Sequence, residues 1–251
     1  MRRLENTESK VLPSLFIIFL IVLWEVIINK FEVPKYILPA PTIIINSLIE
    51  TKTVLLMHAK TTLIEASMGF IMATIFAVVL AALINKFKLL KRILYPIFII
   101  SQTVPIIALA PLFMIWLGFD ILPKIVIVML VCFFPIVISV TEGLERVDKD
   151  MVNIMKVMKA SEWDIFTKVQ LPATLPSFFS GLKIAATYSI MGAVIGEWIG
   201  AKSGLGVYMT RAMSSFKTEA LFADIVIVVF ISIIFFKLIE LLEKIIMPWN
   251  R

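Results

Sequence analysis

The chain has 251 residues, 60% of them hydrophobic, with a mean hydropathy of +1.00 and a formal net charge of +6. Soluble domains run at about 45–50% apolar, so a single water-soluble core is excluded and a polytopic membrane protein is expected. One cysteine (Cys132) and one histidine (His58) exclude a disulfide framework and a cysteine-based metal site, and the scattered Lys and Arg exclude a nucleic-acid face.

A bilayer core of about 30 Å takes about 20 apolar residues per helix, and runs of that length predict an all-α fold of about six transmembrane helices. The first is Val11–Asn29, preceded by Arg2, Arg3 and Lys10. No small-residue cleavage site follows it, so it is read as an uncleaved span. Glu25 falls near its outer end, within reach of water. After it, Ile37-Leu-Pro-Ala-Pro-Thr-Ile-Ile-Ile-Asn-Ser-Leu48 predicts a short helix starting near Pro41 or Thr42. His58 lies in a polar stretch expected outside the membrane, as a surface histidine.

The second span is Thr62–Ile84, with Glu65 early in it. The third runs from about Leu89 to Trp116 and holds Pro96, Pro105 and Pro111. It is too long for one straight crossing, and each mid-helix proline frees a carbonyl that needs a partner. A kinked helix lining an aqueous path accounts for both. Gln102, Thr103 and Pro105 are therefore candidate path-lining residues, and Ser189 in the fifth span joins them. Being uncharged, they suit a small polar organic solute better than a bare ion. The fourth span is Ile121–Val140, where Cys132 is expected as a small buried hydrophobe.

Residues 148–172 form the long charged segment between apolar spans. Met151, Ile154, Met155 and Met158 fall at helical spacing. A turn at Lys159-Ala160-Ser161 follows. Ser161 with Asp164 makes a weak capping box, predicting a second helix from Glu162 with Trp163, Ile165, Phe166 and Val169 on its apolar face. Pro172 is expected to end it. The apolar face of this helix–turn–helix either folds back on its own membrane helices or docks on a partner.

The fifth span, Phe178–Ile199, carries Gly192, Gly196, Gly200 and Gly204 four apart, beside Ala185, Ser189 and Ala193. Small residues at this spacing let helix backbones approach, within the subunit or against a second copy. Glu197 falls at its outer end, where interfacial water is expected, and Lys183 can snorkel to the inner face. The sixth span is Leu221–Leu242. No linker, tandem repeat or second domain is evident, so residues 1–251 are read as one transmembrane domain with its core at about 60–245.

Six spans put both termini on one side. Lys86, Lys88, Lys91 and Arg92 crowd one short connection, and Arg146, Lys149, Lys156, Lys159 and Lys168 populate the 148–172 loop. Lys30, Lys35, Lys52, Lys60, Lys124, Lys202, Arg211 and Lys217 are spread on the other side. The positive-inside rule then puts both termini and the loop in the cytoplasm. Trp24, Trp116 and Trp198 fall near the outer interface and Trp249 near the inner one.

Nothing assembles a catalytic site: there is no Gly-x-Ser-x-Gly and no acid pair with hydrolytic spacing. No glycine precedes a lysine, so the chain has no phosphate-binding Gly-x-x-x-x-Gly-Lys loop. Any ATP must be bound by another polypeptide, and no cofactor is expected here.

Three stretches carry a resemblance. Val169-Gln170-Leu171-Pro172 closes the 148–172 loop, Gln102 to Leu112 contains Pro-x-x-Ala-x-x-Pro-Leu, and Gly196 to Gly206 reads Gly-Glu-Trp-Ile-Gly-Ala-Lys-Ser-Gly-Leu-Gly. Together they resemble permease subunits of bacterial ABC importers of the binding-protein-dependent family, in the branch that handles sulfonates, nitrate, taurine and thiamine precursors. The resemblance runs from about Trp24 to Phe222 and includes Leu38-Pro-Ala-Pro41. The family's loop pattern is Glu-Ala-Ala, three residues, Gly, nine residues, Ile-x-Leu-Pro. Here Asn153, Ile154 and Met155 stand in place of Glu-Ala-Ala, and Lys159 in place of Gly.

The resemblance implies a bacterial inner-membrane homodimer in the lipid bilayer, a cytoplasmic ABC ATPase dimer and an extracytoplasmic solute-binding protein. It implies ATPase coupling through Asn153, Met158, Lys159, Ala160, Ser161, Trp163, Phe166, Leu171 and Pro172. The solute lean is a pyrimidine precursor of thiamine, with sulfonate- and nitrate-like solutes next. An ATPase-independent secondary transporter or channel is the alternative; it predicts a midplane acid or an inverted repeat, and neither is evident. A membrane-embedded enzyme would need clustered His, Asp or Cys within the spans.

Overall fold

In the computed structural model the described residues are 2–250, and the side chains of residues 2–11, 88 and 250 are not described. The basic side chains of Arg2, Arg3, Lys10 and Lys88, used above for orientation, lie outside that description. The helices are α1 (Arg2–Lys30), α2 (Pro41–Lys86), α3 (Lys88–Ser101), α4 (Ile106–Leu117), α5 (Ile121–Glu145), α6 (Lys149–Val157), α7 (Glu162–Ile165), α8 (Leu171–Glu197), α9 (Leu205–Ser214) and α10 (Thr218–Ile246). Among the described residues there is no β-strand. Five of the helices are long and apolar enough to cross a membrane, and α3 with α4 makes a sixth crossing if taken as one bent span. The architecture is that of an all-α polytopic membrane protein.

Two compact units emerge: Met1–His58 with Tyr208–Ile227, and Ala59–Val207 with Val228–Arg251. In the first, the Glu25 carboxylate caps the start of α2, accepting from Thr42 N–H (3.0 Å) and Thr42 Oγ1 (2.8 Å). Pro41 sits in the first turn, where its missing donor costs nothing. The expected short helix here is not separate: α2 runs unbroken for 46 residues, about 69 Å at 1.5 Å per residue. His58 is a second correction. It is buried at 3% exposure rather than on the surface, with its ring 5.7 Å from that of Tyr208. A tilted ring contact with α9 inside the unit stands where the polar neighbours suggested solvation.

The second unit is built on α5 and α8, which run antiparallel with small residues at every close approach. A Cβ added at Gly143 would sit 2.8 Å from Ser177 Cβ. One at Gly181 would sit 2.8 Å from the Pro135 carbonyl and from Ser139 Cβ. Further along, Cys132 Sγ lies 3.3 Å from the Ala185 carbonyl, buried as expected. Gly192 then faces Val128 and Gly196 faces Lys124. In hydrocarbon there is no hydrophobic drive between helices, so this backbone approach and its dispersion contacts supply the packing. Gly69 brings α2 against Val128 in the same way. Lys183 on α8 meets Glu243 on α10 at 2.8 Å, both partly exposed.

The glycine stripe is shorter than its spacing suggested. Gly192 and Gly196 pack helices, but α8 ends at Glu197. Gly200 and Gly204 lie in the turn beyond it, with φ of +75° and +128°, where the absent Cβ serves the backbone conformation.

The third span departs most from expectation. It is not one kinked helix but two, α3 and α4, meeting at 101°. Pro96 and Pro111 are absorbed within them. Pro105 alone marks the break, because it pushes Val104 out of the helical region and cannot donate back.

Candidate functional site

Three features of the second unit have the character of working parts. The first is the 148–172 loop. Asp148 caps α6, its carboxylate accepting from Asp150 N–H at 2.8 Å. α6 ends in a Schellman arrangement: Ala160 N–H donates to Met155 O (3.0 Å) and Lys159 N–H to Lys156 O (2.9 Å). This requires a left-handed residue at position 159, and Lys159 has φ +58°. The family's glycine at this position thus has a backbone reason, and Lys159 occupies it at a strain of about 1 kcal/mol. Lys159→Gly is expected to slow amide exchange of Ala160 about fivefold, equivalent to roughly 1 kcal/mol, as read by hydrogen–deuterium exchange.

After the turn, Ser161 Oγ accepts from Asp164 N–H at 3.1 Å and starts α7 at Glu162, as the capping box predicts. Pro172 does not end this helix. The ladder slips by one residue in a π-helical turn, Phe166–Gln170, and resumes as α8 with Pro172 in its first turn. The slip removes the donor and clash conflict that Pro172 would otherwise create.

α6 buries no side chain. Val157, Met158 and Trp163 are 84%, 73% and 72% exposed, and Met151 and Ile154 extend the same apolar surface. These side chains do not fold back on their own membrane helices. Ile165 is the buried anchor that fixes the segment to the bundle. Asn153, Lys159 and Ser161 are also exposed, Ala160, Phe166 and Pro172 are half-buried, and Leu171 is exposed. The candidate coupling residues therefore share one segment, with its apolar side uncovered.

The second feature is the break at 102–105. Hydroxyls cover the last carbonyls of α3: Ser101 Oγ donates to Phe98 O (2.8 Å) and Thr103 Oγ1 to Ile100 O (2.7 Å). Gln102, Thr103 and Pro105 are exposed. Non-helical backbone at membrane depth is tolerated only inside protein or along a water-filled cavity. Beside the last turn of α3 lies an open, apolar cavity of about 560 Å³, lined by Phe76, Phe98, Ser101, Phe133 and Phe134 among others; residues 102–105 do not line it. Ser189 is elsewhere: fully buried in α8, with its hydroxyl on the Ala186 carbonyl.

The third feature was not foreseen. Where α8 ends, the Glu197 carboxylate is buried at 1% exposure, not in interfacial water as expected. Its Oε1 accepts from Thr62 Oγ1 (2.7 Å) and its Oε2 from Gly206 N–H (2.6 Å). Thr62 Oγ1 in turn accepts from Leu205 N–H at 2.9 Å. Beside it, Lys124 Nζ lies 3.5 Å from Glu65 Oε1, both residues being buried. Lys124 is thus an internal counter-ion and not a flanking charge. The network joins α2, α5, α8 and the start of α9. A Cβ at Gly204 would lie within 2.5 Å of the Glu197 carboxylate atoms and one at Gly206 would lie 2.9 Å from Glu197 Cβ, so these two glycines serve this close approach. The sequence signal was three charged residues inside apolar spans; their meeting is long-range and needed the fold.

Residues 69–249 match the family described as "Binding-protein-dependent transport system inner membrane component". The chain is 35% identical to a formylaminopyrimidine transport permease protein of Halalkalibacterium halodurans, covering 95% of this chain and 96% of that one. It is 27% identical to a riboflavin transport system permease protein of Chloroflexus aurantiacus, covering 93% and 88%. To a putative aliphatic sulfonates transport permease protein of Bacillus subtilis it is 28% identical, covering 92% and 85%. With five or six apolar crossings among its described residues and an exposed loop, the chain belongs to the binding-protein-dependent transport family, as a multi-pass membrane permease subunit of an ABC importer for small solutes.

Proposed function

We propose that this chain forms one half of a homodimeric path for a small nitrogen heterocycle of the formylaminopyrimidine type, driven by a separate ATPase dimer seated on residues 148–172. The observation that carries this reading is the uncovered apolar side of α6 and α7. An exposed patch of Val157, Met158 and Trp163 on an otherwise charged loop calls for a partner. The chain has no nucleotide-binding loop of its own. Both termini and the loop lie in the cytoplasm by the lysine and arginine distribution, and a solute-binding protein delivers from the other side. Residues 1–251 act as a single permease domain with no cofactor.

ATP binding closes the ATPase dimer and moves the 148–172 segment, which biases a two-state arrangement of the spans. The break at Gln102, Thr103 and Pro105 lines the path, and the neighbouring cavity has the size of small-molecule sites. Its Phe98, Phe133 and Phe134 rings suit a flat heterocycle better than nitrate or a sulfonate. The 35% identical relative is named for formylaminopyrimidine, which supports the same choice. Vesicles holding the permease, its ATPase and its binding protein should take up labelled formylaminopyrimidine only with ATP inside the coupled system. Excess nitrate or alkanesulfonate should compete less than twofold. Uptake without ATP would favour a secondary transporter, and full competition by sulfonate would move the solute to that class.

A further inference from the structure

The Glu197 network sits at the end of α5 and α8 remote from the 148–172 loop. Lys124 and Glu145 are 21 residues apart on α5, about 32 Å along the helix, which is the thickness of the hydrocarbon layer. Any force entering at the loop must cross that distance to act on the far face. At the far end it meets three elements, α2, α8 and the start of α9, tied to one another by a buried carboxylate, a buried hydroxyl and two backbone N–H groups, with the Lys124–Glu65 pair joining α5 to α2 alongside. Thr61 adds a further link, its hydroxyl 3.3 Å from that of Ser203. Opening the network in each cycle would leave Glu197, Glu65 and Lys124 without partners in a dry environment, the most costly event available to this region.

The break between α3 and α4 has the opposite character. The hydrogen bonds described for residues 101–105 all stay within the segment, the last turn of α3 and the first turn of α4. Its side chains are exposed, apart from a half-buried Ser101. A hinge needs residues that change φ and ψ without breaking distant bonds, and residues 102–105 meet that condition.

We propose that Thr62, Glu65, Lys124 and Glu197 are positioning residues of a clamp that stays shut through the whole transport cycle. The clamp makes the far ends of α2, α5 and α8 and the start of α9 one rigid block, and the alternation between inward and outward opening takes place at the 102–105 break. This rests on the importer reading above.

The test uses the full complex of permease, ATPase and binding protein in vesicles, with a T61C/S203C pair. Oxidation should form the disulfide, and uptake of formylaminopyrimidine and ATP hydrolysis stimulated by the binding protein should both stay within twofold of the reduced sample. A reductant-reversible loss of tenfold or more would overturn the clamp, because it would mean that the turn must part from α2.

A second arm reads coupling. Thr62→Val should raise the ratio of ATP hydrolysed to solute moved about tenfold, and Thr62→Ser, which keeps the hydroxyl, should restore it. A role confined to folding would lower the amount of assembled complex and leave that ratio unchanged, and this outcome also overturns the proposal. Wild-type vesicles without ATP-dependent uptake would strike the importer reading itself, a result seen before any variant is made, and the clamp would fall with it.

Discussion

Trp163→Asp is expected to abolish binding-protein-stimulated ATPase while leaving membrane insertion and the fold intact. Trp163 is 72% exposed and its ring lies 6.0 Å from that of Phe166, so the isolated subunit loses little when it is removed. In a docked complex the same indole would be a buried aromatic anchor. Such anchors cost about 2–4 kcal/mol when lost, about 30- to 1000-fold in affinity, and a carboxylate placed in an apolar cleft adds its own desolvation cost. Co-purification of the ATPase should fall by the same factor. Met158→Asp, at the end of α6 across the 159–161 turn and 73% exposed, should behave alike, whereas Lys156→Asp should matter less, since exposed ion pairs contribute only about 0–1 kcal/mol. Wild-type coupling in Trp163→Asp would remove the loop from the drive path.

The second large effect concerns stability. Lys124→Met leaves Glu65 buried with its cation gone. Breaking one partner of a buried pair costs about 3–5 kcal/mol, whereas replacing both by apolar groups of similar volume is often neutral. The single variant should therefore unfold at clearly lower denaturant in detergent. The double variant Glu65→Leu/Lys124→Met should recover most of the loss. Glu65→Leu alone should also be destabilised, because Lys124 would then keep only the more distant Glu197. Equal stability of wild type and Lys124→Met would show that water reaches the site and that the pair is not the buried element described.

These two expectations mark what could and could not be read before the fold was in hand. Long apolar runs locate the spans because the bilayer imposes a minimum length, and Ser161 with Asp164 located the start of α7 because a cap is a local device. Small residues at Gly192 and Gly196 announced a close helix contact for the same reason. The break at Pro105 was less accessible: Pro96, Pro105 and Pro111 each permit a kink, and only the pre-proline residues 101–104, with the Ser101 and Thr103 hydroxyls able to cover free carbonyls, tell one from the others. Lys159 hid its left-handed backbone behind an ordinary side chain. Glu65, Lys124 and Glu197 lie on three different helices, so no window of sequence contains their meeting. His58 was misassigned because the ring of Tyr208 that helps to bury it comes from 150 residues away, outside any local window.

The facing of Gly143 with Ser177, Gly181 with Pro135 and Ser139, Cys132 with Ala185, Gly192 with Val128, and Gly196 with Lys124 has a consequence for how such proteins vary. One residue inserted in either arm would rotate everything beyond it by about 100° around the helix and turn bulk toward the seam. The hairpin from Ile121 to Glu197 should thus be inherited, and be exchangeable between relatives, as a single cassette. Length changes should collect in the stretches outside it, and a chimaera joining one arm to a foreign second arm should fail even where both parents work.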